Sequence, residues 1–172
     1  MNSKIGKQEY ARLISQYAPK VIDFVSRMVD NYDEACDVAQ EAFVKGFRLL
    51  ATFRGDASFL TWMQRIAYHE ALNHLHRHTH HTVALSDVNM ADEPDDSELS
   101  TQREHRISLL EEAVAELQPD EQLLLHLYYY DNRTLRDIAY ITGAQPNALA
   151  VKLHRIRKRL LIMIKQRENE DI

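Results

Sequence analysis

Apolar residues recur at helical spacing along most of the chain: Tyr10, Leu13, Ile14 and Tyr17, then Val21, Val25, Met28 and Val29, and later Ile107, Leu110, Val114 and Leu117. Steps of three and four place such residues on one side of a 3.6-residue helix, whereas the period-two alternation of a half-buried strand is scarce. Start and stop signals agree. Asp33 is placed to cap a helix running to about Leu50, Ser58 to cap another running to about His76, and Pro119 suits the first turn of a helix through Tyr130. From Thr134, with Asp137 three residues on, a short helix carries Ile138 and Ile141 inward and ends at Gly143. After Gln145 and Pro146 a longer helix buries Leu149, Leu153, Ile156 and Leu160. The pattern predicts an all-α fold.

The periodicity fails between Thr82 and about Ser100, where TVALSDVNMADEPDDSELS is rich in Asp, Glu and Ser and reads as a flexible acidic linker. The chain therefore divides into an N-terminal domain (1–81), a linker (82–107) and a C-terminal domain (108–172). A length of 172 residues, 45% of them hydrophobic, suits two small helical domains and excludes a large multidomain enzyme. The single Cys36 cannot close an intramolecular disulfide, no apolar run approaches the ~20 residues that span a bilayer, and MNSKIGKQEY lacks the apolar segment of a secretory signal. The expectation is a cytoplasmic protein without membrane insertion.

A formal net charge of −5 argues against a nucleic-acid partner only until it is mapped along the chain. Residues 1–81 carry 10 Lys/Arg against 9 Asp/Glu, residues 82–108 carry 2 against 7, and residues 109–172 carry 9 against 10. The linker segment thus matches the whole imbalance, while residues 149–167 hold seven cations and no acid.

Those cations fall on the second helix of a helix-turn-helix spacing, with small Ala139, the turn at Gly143 four later, and apolar Leu149 six after that. Its outward residues are Asn147, Ala150, Val151, His154, Arg155 and Lys158. Arg pairs bidentately with guanine edges and Asn with adenine, which makes Arg155 and Asn147 the expected base readers. Lys152, Arg157, Lys158 and Arg159 are weighted toward phosphates. In the N-terminal domain, Gly55 bends a loop flanked by Phe53, Phe59 and Trp62, with Arg54 and Arg65 nearby. Aromatics beside cations form a platform for unstacked bases. Taken by themselves, the same rings are better read as filling an inter-helix core.

Three strings, Asp37-Val38-Ala39-Gln40-Glu41-Ala42-Phe43, the run Phe53-Arg54-Gly55-Asp56-Ala57-Ser58-Phe59-Leu60-Thr61-Trp62-Met63-Gln64-Arg65-Ile66-Ala67, and TLRDIAYITG followed by VKLHRIRKRL, together resemble bacterial extracytoplasmic-function (ECF) sigma factors. The resemblance covers roughly residues 8–80 and 108–165. It implies binding to core RNA polymerase (the β′ clamp helices) through Asp37, Gln40, Glu41 and Phe43. It further implies recognition and melting of the promoter −10 element by Phe53, Arg54, Gly55, Asp56, Ser58, Phe59, Trp62, Arg65, His69 and Asn73. Recognition of the −35 element falls to Asn147 through Arg155, with the C-terminal domain resting on the polymerase β flap and an anti-sigma factor as a further partner. Leu123, Leu124, Leu127 and Tyr128 are expected mostly in the core. The chain departs from the family at His69, commonly Asn, with Asn73 four residues on, and at Ala150 and Val151, often basic or hydroxylic in relatives.

His69, His74, His76, His78, His80 and His81 crowd into thirteen residues and raise a rival reading as a metal-responsive protein. His69-Glu70 lacks the second histidine a zincin needs, Asn73 standing there instead, and relatives usually place Arg and Lys in this segment. No cofactor or metal is expected. A free-standing helix-turn-helix regulator is the other alternative. No nucleophile, base or carboxylate constellation is visible, so a non-enzyme is expected.

Overall fold

A computed structural model describes residues 5–78 and 98–170. Its elements are α1 (Lys7–Ser26), α2 (Tyr32–Leu49), a 3₁₀ turn (Leu50–Thr52), α3 (Phe59–His78), α4 (Glu98–Ala115), α5 (Pro119–Leu125) running on as a π-helical turn (His126–Tyr130), α6 (Leu135–Thr142) and α7 (Pro146–Glu170). The described residues contain no strand. Most of the acidic stretch expected as a linker lies outside the described residues; Glu98 to Ile107, its last part, is helical.

Helices α1, α2 and α3 pack around Val21, Phe24, Val25, Val38, Met63 and Ile66. Fully buried Ala35, Ala39, Ala42, Ala67 and Ala71 let the axes approach closely. At the tightest point, a Cβ added to Gly46 would lie 2.7 Å from the Tyr10 hydroxyl oxygen and 2.8 Å from Met63 Cε. That hydroxyl donates to the Phe43 carbonyl at 2.6 Å, which ties α1 to α2. Burial pushes the Tyr10 phenol up to about 12.

The caps fix where each helix begins. Ser58 Oγ accepts from Thr61 N–H at 3.1 Å and starts α3 as expected. For α2 the cap is Asn31, not Asp33: Asn31 has extended backbone and its Oδ1 accepts from Glu34 N–H at 2.8 Å. Asp33 sits instead in the first turn, where its carboxylate meets the positive end of the helix dipole. Thr134 Oγ1 accepts from Asp137 N–H at 3.1 Å, and Gly143, at φ 77°, closes α6 in the left-handed region that favours glycine.

The C-terminal core is Leu123, Leu124, Leu127, Ile138, Ile141, Leu149, Leu153, Ile156 and Leu160. Helix α4 contributes Leu109 and Ala113, and Leu117 just past its end is buried as expected, whereas Ile107 and Leu110 of the same predicted stripe are 46% and 43% exposed. The difference follows from its partner. Helix α4 lies along the C-terminal turns of α7, held at the edge by Arg167 with Glu112 (3.7 Å) and Glu116, and by Arg106 with Glu168 (3.6 Å), so only a narrow stripe is covered.

The two halves share a core through α3 and α6. Arg133, just before α6, donates from Nη1 to Thr61 Oγ1 (3.1 Å) and from Nη2 to Gln64 Oε1 (3.0 Å), and the Arg65 guanidinium lies 4.9 Å from the Tyr140 ring centroid.

Candidate nucleic-acid interface

Burying Leu149, Leu153, Ile156 and Leu160 turns the opposite side of α7 to solvent, since residues near half a helical turn away must point outward. Asn147, Ala150, Val151, His154, Arg155 and Lys158 are all exposed there. The cations split into two groups. Lys152 pairs with Asp120 and Arg159 with Glu121, both acids in the first turn of α5. On the other flank, Arg157 Nε donates to the Tyr129 hydroxyl at 2.6 Å and its guanidinium lies 5.5 Å from that ring's centroid and 5.9 Å from that of Tyr128. On the Lys152 and Arg159 flank a groove of about 590 Å³ runs along Asn147, Val151 and Arg155 beside Glu121. The exposed pole is therefore free for a ligand, and its borders are fixed by partners within the same domain. Tyr128 and Tyr129 were not legible as partners of Arg157; the signal is the aromatic run at the end of α5, where the π-helical turn rotates successive rings.

In the N-terminal domain the structure divides the expected −10 residues. Arg54, Gly55, Asp56, Ser58 and Asn73 are exposed, and Phe53, Arg65 and His69 are partly covered. Phe59 and Trp62 are buried, 8% and 6% exposed. Their rings pack at centroid distances of 5.7 Å from each other, 6.0 and 5.2 Å from Phe53, and 5.8 Å from Phe59 to Tyr10, so they brace the loop from beneath. Burial, then the charges of Arg65 and Lys45, push the His69 imidazole below its usual range, which favours the neutral ring at the centre of this face.

On α2, Asp37, Gln40 and Glu41 are exposed and Phe43 is half-buried. Continuing their spacing by three and four reaches Val44 and Phe47, 54% and 44% exposed. These two apolar residues complete a mixed surface beside the acids, and the unbroken helical step from Asp37 was the signal for them. At the far end of the same surface, Glu41 meets Arg77 at 3.5 Å and Glu34 meets His74 at 3.3 Å. His74 also stacks on His78 at 4.1 Å. Among the described residues no group of three His, Cys, Asp or Glu side chains is arranged to hold a metal ion; His80 and His81 lie outside them.

This arrangement defines a class: a two-domain helical protein with a helix-turn-helix whose second helix is exposed on one side. Residues 13–81 match Sigma-70 region 2 and residues 107–160 match Sigma-70 region 4. Over 69 residues the chain is 46% identical to the RNA polymerase sigma-H factor of Pseudomonas aeruginosa, a stretch covering 40% of this chain and 36% of that protein. Over 72 residues it is 44% identical to the ECF RNA polymerase sigma-E factor of Escherichia coli strain K12, covering 42% and 37%. The matched stretch thus spans little more than a third of either relative. RNA polymerase sigma factor YlaC of Bacillus subtilis is similar from end to end, at 29% identity over 93% of this chain and 95% of that one. In fold, the chain is similar to the sigma factor RpoE in complex with the anti-sigma factor NepR from Bartonella quintana, with a TM-score of 0.67, 16% identity and coverage of 92% and 98%. It is similar also to CnrH in complex with the cytosolic domain of CnrY, with a TM-score of 0.61, 15% identity and coverage of 94% and 90%. The chain belongs to the sigma-70 family, in its ECF class.

Proposed function

We propose that this chain is a promoter-specificity subunit: it binds core RNA polymerase and directs initiation at promoters carrying −10 and −35 elements. The observation that carries the reading is the exposed pole of α7, where Asn147, Val151, His154, Arg155 and Lys158 stand clear between tethered flanks, on a domain of the sigma-70 region 4 type. An α-helix fits the major groove, and Arg155 and Asn147 are the side chains there able to read base edges bidentately. The loop from Phe53 to Ser58 and the outward residues of α3 and Asn73 engage the −10 element, with Phe59 and Trp62 acting as its rigid support. The α2 surface of Asp37, Gln40, Glu41, Val44 and Phe47 meets the polymerase, its apolar pair supplying burial and its polar rim the register. Melting then draws on binding energy: a few kcal/mol of unstacking is offset by holding the extruded base.

The protein acts in the cytoplasm, without catalytic residues of its own. The complex of the sigma factor RpoE with the anti-sigma factor NepR supports an anti-sigma factor as a regulatory partner here too. No described helix is long and apolar enough to cross a membrane.

In vitro transcription with core polymerase on a fragmented genomic library, with the transcript starts sequenced, tests the reading. Initiation from a defined promoter subset is expected. Failure to direct any initiation, with tight duplex binding by the chain alone, would favour a free-standing helix-turn-helix regulator.

A further inference from the structure

Among the described residues, Thr61 and Gln64 are the buried polar side chains, 2% and 3% exposed; both accept from the other domain, and Thr61 Oγ1 also meets Ser58 Oγ at 2.8 Å. Arg133 holds both, one guanidinium nitrogen on each acceptor, at 3.1 and 3.0 Å. One position on, the Tyr140 ring sits under the Arg65 guanidinium at 4.9 Å. Tyr68, a further turn along, lines a cavity of about 160 Å³ with Leu123, Leu127, Ile138 and Leu149 of the C-terminal domain. Thus α6 and its neighbours cover the side of α3 that runs through residues 61, 64, 65 and 68. That side adjoins Arg65, His69 and Asn73, the residues assigned above to the −10 element.

This packing and simultaneous promoter reading exclude each other. The −10 and −35 elements are about 25 base pairs apart by their names, or about 85 Å at 3.4 Å per pair. A compact chain of this length has a radius of gyration of about 16 Å and is about 40 Å across. Both elements are reached only when α3 and α6 have parted. Separation then leaves Gln64 Oε1 without its partner and Thr61 Oγ1, still bonded to Ser58 Oγ at 2.8 Å, with one acceptor position open a helical turn away, next to a guanidinium that has lost its ring.

What α6 supplies to this face has the chemistry of a nucleobase: planar N–H donors on two acceptors, and an aromatic ring against a cation. We propose that Thr61, Gln64 and Arg65 form a site for an unstacked base with an exocyclic amino group, and that Arg133 and Tyr140 occupy this site in the compact chain. The C-terminal domain and the −10 strand compete for one face of α3. The inference rests on the promoter-reading function proposed above and names the residues and base chemistry of that site.

Two measurements test it. Single-stranded −10 oligonucleotides are titrated into the full chain: Arg133→Ala, and Tyr140→Leu, should tighten binding by tenfold or more, whereas Gln64→Glu, which pairs more firmly with Arg133, should weaken it. Equal affinity of Arg133→Ala and the unsubstituted chain overturns the masking. With holoenzyme, Arg133→Ala should leave initiation unchanged, since the domains are already apart. Replacing each −10 adenine in turn by purine, which lacks the amino group, should slow open-complex formation at one position, and Gln64→Met should remove that dependence. No position sensitive to the amino group overturns the site. A holoenzyme that fails to initiate from any promoter would instead refute the parent reading, so the failures are separable.

Discussion

Replacing Asp120 by Asn together with Glu121 by Gln tests how the flanks of α7 are set. Both acids sit in the first turn of α5 and hold Lys152 and Arg159, cations on the edge of the reading helix. The double change keeps shape and keeps the cap, because Glu121 accepts from Gln118 N–H at 3.1 Å and glutamine serves that role equally. Exposed pairs of this kind contribute about 0–1 kcal/mol each, so the fold should persist. Lys152 and Arg159, once released, are free to neutralise phosphates. Each phosphate neutralised steepens the slope of log affinity against log salt by about 0.9, so two contacts add about 1.8. Between about 50 and 200 mM salt the variant should lose about tenfold more affinity than the unsubstituted chain, and should bind tighter at the low end. The assay is a fluorescence titration of the full chain on a −35 duplex and on a scrambled duplex across that salt range. An unchanged slope on both would show that Lys152 and Arg159 already contact phosphates with their partners in place, or never do, and would refute the reasoning.

Arg155→Ala should weaken binding to the preferred −35 duplex and relax sequence preference, by about 1–3 kcal/mol of discrimination at one base pair; uniform loss on all duplexes would show a phosphate contact instead. Gly46→Ala puts a methyl group 2.7 Å from the Tyr10 hydroxyl oxygen and 2.8 Å from Met63 Cε, and should lower stability by about 1–3 kcal/mol by urea denaturation. His126 is held below its usual value by burial and then by Arg27, partly opposed by Asp131 at 3.3 Å and by Asp23. The unfolded chain therefore takes up that proton first, so stability is intact above about pH 6.5 and falls as pH drops toward the lowered folded value. Burial of His69 acts in the same direction. His126→Gln should flatten the urea midpoint between about pH 5.5 and about pH 7.5, and an unaltered profile would remove His126 as a source.

Local chemistry was the most legible part of this chain. Thr134, Gly143 and the run Leu149, Leu153, Ile156 and Leu160 carry their structural instructions within a few residues, and caps, left-handed turns and one-sided burial follow directly. Asn31 took the cap expected of Asp33 because both residues are good caps and only the backbone's extended φ, ψ at Asn31 distinguishes them. On α4, Ile107 and Leu110 share the helical period with Leu109 and Ala113. Which pair is covered depends on where α7 arrives, and a period alone does not carry that phase.

The aromatic loop shows the same division in its functional form. Phe53, Phe59 and Trp62 were compatible with a base platform and with a core, and taken by themselves they favoured the core. Packing of Phe59 against Tyr10 and Trp62, beneath Arg54, Gly55 and Asp56, gives these two rings to the core and leaves the polar loop outside. A rigid loop is then the expected consequence, since rings locked at 5 to 6 Å separations hold the backbone that a base must find. Thr61 and Gln64 were invisible for a different reason. Their partner, Arg133, lies 72 and 69 residues away, and a polar side chain on an amphipathic helix looks merely exposed until something is shown to cover it. Long-range polar contacts of this kind encode which conformations exclude one another, and here they join the helix proposed to engage −10 to the domain proposed to read −35.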